Sequence, residues 1–142
     1  MSILEVRRII EMAPYGCLAS ISEGLPRVRP MAFVMLDDGR LWSSTYAVSG
    51  KARELAAEPR VEVCFIDEKK NHVRIEGLVS LQGGEREKAR LLELNPKVGR
   101  HFNGGSDPMF VHIEVRPRRI RWKEPGFSEY HEVDLPLNGD VG

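Results

Sequence analysis

The chain has 142 residues, with 21 basic residues (Lys and Arg) balanced by 21 acidic residues (Asp and Glu). This length suits one domain, and a content of 42% hydrophobic and 30% charged residues excludes a disordered or collagen-like chain. The zero net charge argues against general attraction to nucleic acid. No apolar run approaches the ~20 residues of a membrane span, no signal peptide is visible, and two cysteines make no disulfide framework, so we expect a cytoplasmic protein without a membrane partner.

The first predicted element is a short helix. Ser2 and Glu5 form a capping-box pattern, apolar residues follow at helical spacing, and Pro14 ends the helix. Seven later segments have the β-rich or alternating pattern of strands, several of them separated by turn residues such as Glu23-Gly24 and Asp37-Asp38-Gly39. These predicted strands are 17–22, 27–35, 40–45, 60–67, 72–81, 109–116 and 118–123.

Two further helices interrupt the strands. One runs from about Ser49, a suitable N-cap, to Glu58, before Pro59. The other covers about 85–94 and ends at Asn95-Pro96. Short strands with hairpin turns and few helices predict a mainly β fold, an antiparallel barrel of six to seven strands with flanking helices.

The C-terminal segment 124–142 has a different composition. It holds five acidic residues and no Lys or Arg, with prolines and glycines throughout. We expect a draped or frayed tail there, without a packed element.

The predicted strand 27–35 carries the first candidate site. Arg27 and Arg29 are two residues apart, so on a strand they point to the same face. Pro30 follows and cannot donate to a sheet ladder, which marks a bulge or an unpaired edge. The segment fits a ligand-binding strand with free backbone, and it also fits a solvent-facing arginine pair beside an edge proline.

A second candidate site follows the next strand, which ends at Thr45. Ser49-Gly50-Lys51 opens a helix, where free N–H groups and the positive end of the helix dipole suit a phosphate. Ser49 and Thr45 add hydroxyls and Lys51 adds an ammonium. The same sequence is also explained by an ordinary serine N-cap beside a solvated Lys51 and Arg53. The pattern is not that of a P-loop.

Taken together, these segments resemble the pyridoxamine 5'-phosphate oxidase-like flavoproteins, in particular their short general-stress-protein branch. The resemblance extends from about residue 5 to residue 125, so we divide the chain into a domain 1–125 and an acidic tail 126–142. The residues that carry it are Gly24-Leu25-Pro26-Arg27-Val28-Arg29-Pro30-Met31, Gly39-Arg40-Leu41-Trp42, Thr45, Ser49-Gly50-Lys51, Pro59-Arg60-Val61 and Val73-Arg74-Ile75-Glu76-Gly77.

The resemblance implies an FMN-binding split β-barrel and a homodimer with FMN at the interface between two protomers. It assigns the phosphate to Arg29, Thr45, Ser49 and Lys51. It assigns the isoalloxazine ring to Pro30, Met31, Trp42, Ser43 and Ser44. It further places Asn71 and His72 at positions that reach the flavin from the other protomer, and Trp122 near a C-terminal aromatic position close to the cofactor.

The implied activity is that of a small oxidoreductase, which passes hydride between FMN and a nicotinamide cofactor or a small organic substrate. Oxidation of pyridoxamine phosphate itself is not expected, because the acidic tail has no arginine to hold a second phosphate. One alternative is a non-catalytic module that binds or stores a flavin, a haem or a deazaflavin. Another is a nucleic-acid adaptor that uses the cations of 116–123.

Other reactive residue types receive structural interpretations. Cys17 and Cys64 each lie in an apolar predicted strand and are expected to be buried structural thiols. The four histidines lack the spacing of a metal site, so we expect no bound metal. In segment 116–123, Arg119, Arg121 and Lys123 alternate with Ile120 and Trp122, which predicts a solvated outer face or a partner for the acidic tail. The loop 102–108 is either a lid or a plain connection.

Overall fold

The computed structural model describes residues 3–135 of the chain. The helices are α1 (Ile3–Met12), α2 (Gly50–Ala57) and α3 (Glu85–Leu94), followed by a 3₁₀ helix at Pro96–Arg100. The strands are β1 (Gly16–Ser22), β2 (Leu25–Met31), β3 (Val34–Met35), β4 (Leu41–Tyr46), β5 (Arg60–Ile66), β6 (His72–Ser80), β7 (Phe110–Lys123) and β8 (His131–Val133).

All of these strands join one antiparallel sheet. The order is β2-β1-β5-β6-β7-β4-β3, and β8 also pairs with β7. β2 and β3 occupy opposite ends of this order, yet only Ala32 and Phe33 separate them in the chain. The sheet therefore has to roll up until its two ends meet. The prediction of an antiparallel split barrel is confirmed, with eight strands in the described residues where six to seven were expected.

The barrel interior and one outer face hold separate hydrophobic clusters. The interior is filled by alternate residues of the strands, such as Leu18, Val63 and Ile75, and is covered by the apolar face of α1. A second cluster lies between the outside of β4 and β7 and the α3 region. It consists of Trp42, Leu91, Val98, Phe102 and Phe110. No helix among residues 3–135 has the length and apolar composition of a bilayer span.

The predicted strand 27–35 is two strands. β2 pairs with β1, whereas β3 pairs with β4. The two residues between them, Ala32 and Phe33, cross the place where the two ends of the sheet meet, which we call the seam. The crossing is fixed by the Ser43 hydroxyl, which donates a 2.6 Å hydrogen bond to the Ala32 carbonyl. Residues 31–35 form one continuous apolar run, so the sequence alone does not show the break.

The two predicted strands 109–116 and 118–123 are one strand, β7. Pro117 lacks an N–H, and the strand continues past it because a β-bulge lies there. Gly77 pairs with Pro117 and Glu76 pairs with Arg119, so Arg118 is the extra residue on β7. As predicted, Ile120 is buried inside while Arg119 lies on the outer face.

The expectation of an unpacked tail is wrong for residues 131–133. They form β8, which pairs with residues 120–122 of β7, and Val133 is buried in the barrel core. The carboxylate of Glu132 pairs with Arg119, the kind of partner expected for this acidic segment. Residues 136–142 of the tail, and Ser2 of the capping-box pattern, lie outside the described residues.

The expectation of two buried thiols is also wrong. Cys17 is exposed and Cys64 is only partly buried. Both side chains lie on the outer face of the sheet, because their neighbours Leu18 and Val63 point into the core.

Candidate functional site

The first turn of α2 meets the end of β4. Ser49 is the N-cap, with φ −73° and ψ 147°, and its Oγ accepts a 3.2 Å hydrogen bond from the Ala52 N–H. The Ser49 Oγ is also 3.0 Å from the Oγ1 of Thr45, the penultimate residue of β4. Two hydroxyls therefore stand at the positive end of a helix, as the sequence predicts.

Two cations lie beside these hydroxyls. Burial lowers the pKa of the Lys51 ammonium below its ordinary value, and the positive charge of Arg29 lowers it further. Arg29 is held by Glu54, with 2.6 Å between its Nη2 and the carboxylate Oε2. Glu54 is paired with Arg29, and no ion pair of Lys51 is found within residues 3–135, which leaves an excess positive charge in a half-buried place. An anion bound here would relieve the repulsion between Arg29 and Lys51.

A pocket of about 230 Å³ opens next to Lys51. It contains five of the residues predicted to contact the cofactor, which come from β2, β4 and α2. These are Pro30, Met31, Ser43, Ser44 and Lys51. The fold thus joins the two candidate segments into one concave site.

The pocket also contains residues that no sequence motif indicated. Ala32 comes from the seam, and Asn95, Lys97, Val98 and His101 come from the end of α3 and the 3₁₀ helix. The last four lie more than 40 positions after Lys51, and no motif spacing connects them to it. The only available signal was the loop after α3, which ordinarily places polar residues at a site edge.

Trp42 lies elsewhere. Its indole faces away from the barrel interior, packs in the cluster with Leu91 and Phe110, and donates a 3.0 Å hydrogen bond from Nε1 to Glu114. Its side chain does not line the pocket. Only its backbone, next to Ser43, remains near the position that the resemblance implies.

Asn71, His72 and Trp122 also lie outside this pocket. Asn71 Nδ2 donates to Asp67 at 3.1 Å, while His72 Nε2 is 2.8 Å from the Tyr130 hydroxyl. Trp122 packs against the barrel core. A single chain does not bring these three residues to the pocket, so a role for them toward a cofactor requires a second chain.

A group of cations surrounds Tyr130 on the outer face. The guanidinium of Arg121 lies 4.6 Å from the ring centroid. The guanidinium of Arg74 lies 5.8 Å from the centroid, and the ammonium of Lys123 lies 5.9 Å from it. Burial and these three charges lower the pKa of His72, so this imidazole is neutral at neutral pH. The sequence left open a solvated face or a partner for the acidic tail, and Tyr130 belongs to that tail, so the contact agrees with the second alternative. The tyrosine itself was not predicted.

Comparison with known proteins finds one matching family and several solved structures with a similar fold. The family described as Pyridoxamine 5'-phosphate oxidase matches residues 4–123, whereas no curated protein matches the chain. General Stress Protein 26 from Bacillus anthracis str. Sterne has 23% identity and a TM-score of 0.75, covering 93% of this chain and 100% of its own. A candidate pyridoxamine 5'-phosphate oxidase from Listeria innocua has 30% identity and a TM-score of 0.69, with coverage of 83% and 94%. An F420 reductase has 26% identity and a TM-score of 0.65, with coverage of 80% and 94%.

Proposed function

The chain belongs to the pyridoxamine 5'-phosphate oxidase family, and from this membership we propose that it binds FMN and acts as a small oxidoreductase. The proposed reaction transfers hydride between FMN and a nicotinamide cofactor or a small organic substrate. The observation that carries the proposal is the excess positive charge of Arg29 and Lys51 beside the hydroxyls at the start of α2.

A phosphate monoester fits this place. It carries close to two negative charges near neutral pH, which the guanidinium of Arg29 and the ammonium of Lys51 would compensate. The hydroxyls of Thr45 and Ser49 and the free N–H groups of the first turn of α2 would supply hydrogen bonds. Glu54 would keep Arg29 oriented, because their 2.6 Å ion pair lies beside the site.

The isoalloxazine ring would lie in the pocket of Pro30, Met31, Ser43 and Ser44. At about 230 Å³ this pocket is smaller than the ~300–1,000 Å³ usual for ligands of this size. A second copy of the chain would complete it, which is why we propose a homodimer with FMN at the interface. When bound, the flavin would supply the hydride chemistry, and the protein residues would bind and orient it.

Pyridoxamine phosphate is not the substrate we propose. The C-terminal segment bears Glu129, Glu132 and Asp134 and has no arginine after Arg121. A second phosphate would meet repulsion there.

A second candidate ligand is a deazaflavin, favoured by the 26% identity to an F420 reductase. A third is haem, because His101 lines the pocket and imidazole is a common haem ligand. With either ligand, the alternative function is a module that only binds or stores the group. Turnover of NADH or NADPH with an artificial electron acceptor separates an enzyme from such a module.

The first experiment is the absorption spectrum of freshly purified, untagged protein, followed by denaturation and identification of the released molecule. Release of FMN supports the proposal. Release of a deazaflavin or a haem replaces FMN with that group. A colourless protein that also fails to bind added FMN in a fluorescence titration contradicts the proposal.

The phosphate site is tested by Lys51→Ala. We expect a loss of FMN affinity of more than tenfold, because a charge-assisted contact is worth about 1.5–3 kcal/mol. The matched control is Arg53→Ala, which removes the same charge from the same helix at an exposed residue outside the pocket. Equal affinities for the two variants would move the phosphate to another place.

A further inference from the structure

Two cysteines that are distant in the sequence are direct neighbours in the sheet. The antiparallel register of β1 and β5 places Cys17 opposite Cys64. Directly opposite residues point to the same side of a sheet, and here that side is the outer face. The two thiols therefore stand next to each other outside the barrel core.

The spacing of the strands suits a bond between them. Opposite Cα atoms in antiparallel strands are about 4.5–5.5 Å apart, within the ~4.4–6.8 Å range of disulfides. Opposite Cβ atoms lie about 4.5–5.5 Å apart, slightly farther than the ~3.5–4.5 Å of a disulfide. Closing the bond would pull β1 and β5 together, and a strained bond of this kind is easily reduced.

The surroundings assign different roles to the two thiols. Cys17 is exposed, so a small oxidant can reach it. Cys64 is partly buried, and this burial is the main reason that the pKa of its thiol is raised. The neighbouring Cys17 raises this pKa further, whereas the positive charge of Arg74 opposes the rise. Arg74 is the cross-strand neighbour of Cys64 on β6 and is paired with Glu62 at 2.9 Å.

We propose that Cys17 and Cys64 form a reversible disulfide within one chain and are a redox modification site. The thiolate of Cys17 attacks a hydroperoxide, whose O–O bond breaks, and Cys17 becomes a sulfenic acid. The sulfur of Cys64 then attacks the sulfur of Cys17, the S–O bond breaks, and the oxygen leaves as water with the proton of Cys64. In total the two thiols lose two electrons and two protons. An organic hydroperoxide is reduced to an alcohol and one water, and hydrogen peroxide is reduced to two waters.

This site is separate from the proposed cofactor chemistry. Cys17 does pair with Pro30 of β2 on its other side, and Pro30 lines the pocket next to Lys51. The dithiol is therefore one strand away from the pocket, but its oxidation requires only a hydroperoxide and does not depend on a bound flavin.

The test uses the full-length, fully reduced protein treated with a small excess of hydrogen peroxide. We expect the intact mass to fall by two hydrogen atoms, both thiols to become resistant to alkylation, and a digest to contain a peptide that links Cys17 to Cys64. Addition of reduced glutathione should restore both thiols. Thiols that stay free or form a bond between two chains would overturn the proposal.

A displaced thiol provides the matched control. In the double variant Cys17→Ser, Ala19→Cys the new cysteine lies on the same face and strand, but its direct partner is Glu62 and it is diagonal to Cys64. Diagonal neighbours are about 7–8 Å apart, too far for a disulfide without movement of the backbone. We expect at least tenfold slower disulfide formation in this variant, and an equal rate would contradict the role of the register.

Discussion

His112 is a buried imidazole in β7, only 1% exposed, and neither of its ring nitrogens has a hydrogen-bond partner within residues 3–135. It packs edge-on against Trp42, with 4.5 Å between ring centroids, and the backbone of Gly83 closes over it. Burial lowers the pKa of His112, an effect that the nearby carboxylates of Glu114 and Glu87 oppose. The protein therefore holds this imidazole in its neutral form.

The stability of the fold should consequently depend on pH. The pKa of His112 in the folded protein lies below its ordinary value of 6.5, so the unfolded chain binds a proton that the folded chain does not. The contribution of neutral His112 to the free energy of unfolding is complete at pH values above that ordinary pKa. It is lost as the pH falls through the folded pKa, and the loss is at most ~1.4 kcal/mol per pH unit for one proton. Urea unfolding at a series of pH values should show a shallower acid loss for His112→Gln than for the parent protein.

His72 supplies the control for this measurement. Its pKa is also lowered, but its ring is only partly buried and bonds to Tyr130. We expect His72→Gln to leave most of the acid loss in place. An unchanged pH profile in His112→Gln would assign the acid loss to other groups.

At the scale of single residues, what could be predicted from the sequence depends on whether a contact is local. Ser49 was recognisable as an N-cap because it bonds to Ala52, three residues away. The pairing of Arg29 with Glu54 and the presence of His101 in the pocket depend on strand and helix placement. Trp42 fitted a motif, but its side chain follows the alternation of β4 and faces α3.

At the scale of elements, the bulge between β6 and β7 depends on Gly77. A Cβ at this position would lie 2.5 Å from the carbonyl oxygen of Arg116 and 2.9 Å from Val115 Cγ1. The obstacle is partly backbone, so it cannot move aside as a flexible side chain would. The close approach of the two strands requires a residue without a side chain.

We therefore expect Gly77→Ala to lower the free energy of unfolding by about 1–3 kcal/mol, as overpacking ordinarily does. Urea denaturation monitored by tryptophan fluorescence measures the change. Gly99→Ala is the matched control, because its Cβ would only reach ordinary contact, 3.8 Å from Leu92 Cδ2. Similar stabilities for the two variants would show that β7 yields easily at the bulge.

The strands themselves were largely predictable, and their interruptions were not. Alternation of residue types located most of the strands within a few residues of their observed bounds, because that pattern reflects burial on one face. The break after Met31 and the continuity through Pro117 follow from which strand each segment pairs with. Pairing across the barrel is a long-range property that no local window contains.

At the scale of the whole molecule, the proposed cofactor site requires two chains. We expect light scattering on the purified protein to give twice the mass of one chain, with one FMN bound per chain. A monomer that binds FMN fully would contradict the composite site.

Complementation between subunits sharpens this prediction. Lys51→Ala would damage the part of the site contributed by one chain, and His72→Ala the part contributed by the other. Mixed dimers of the two variants should regain one intact site of two, whereas each variant alone should bind FMN weakly. Mixed dimers that bind no better than the single variants would place His72 outside the site.

The sheet order also has a consequence for synthesis of the chain. β4 carries Ser43, Ser44 and Thr45, and within the described residues its partners are β3 and residues 110–115 of β7. On the ribosome, β4 emerges well before β7, and the edge of β4 that pairs with β7 has no partner until β7 has been made. The nascent chain consequently cannot fix the β4 side of the pocket before β7 has been made, and cofactor capture would be a step that follows the pairing of β4 with β7.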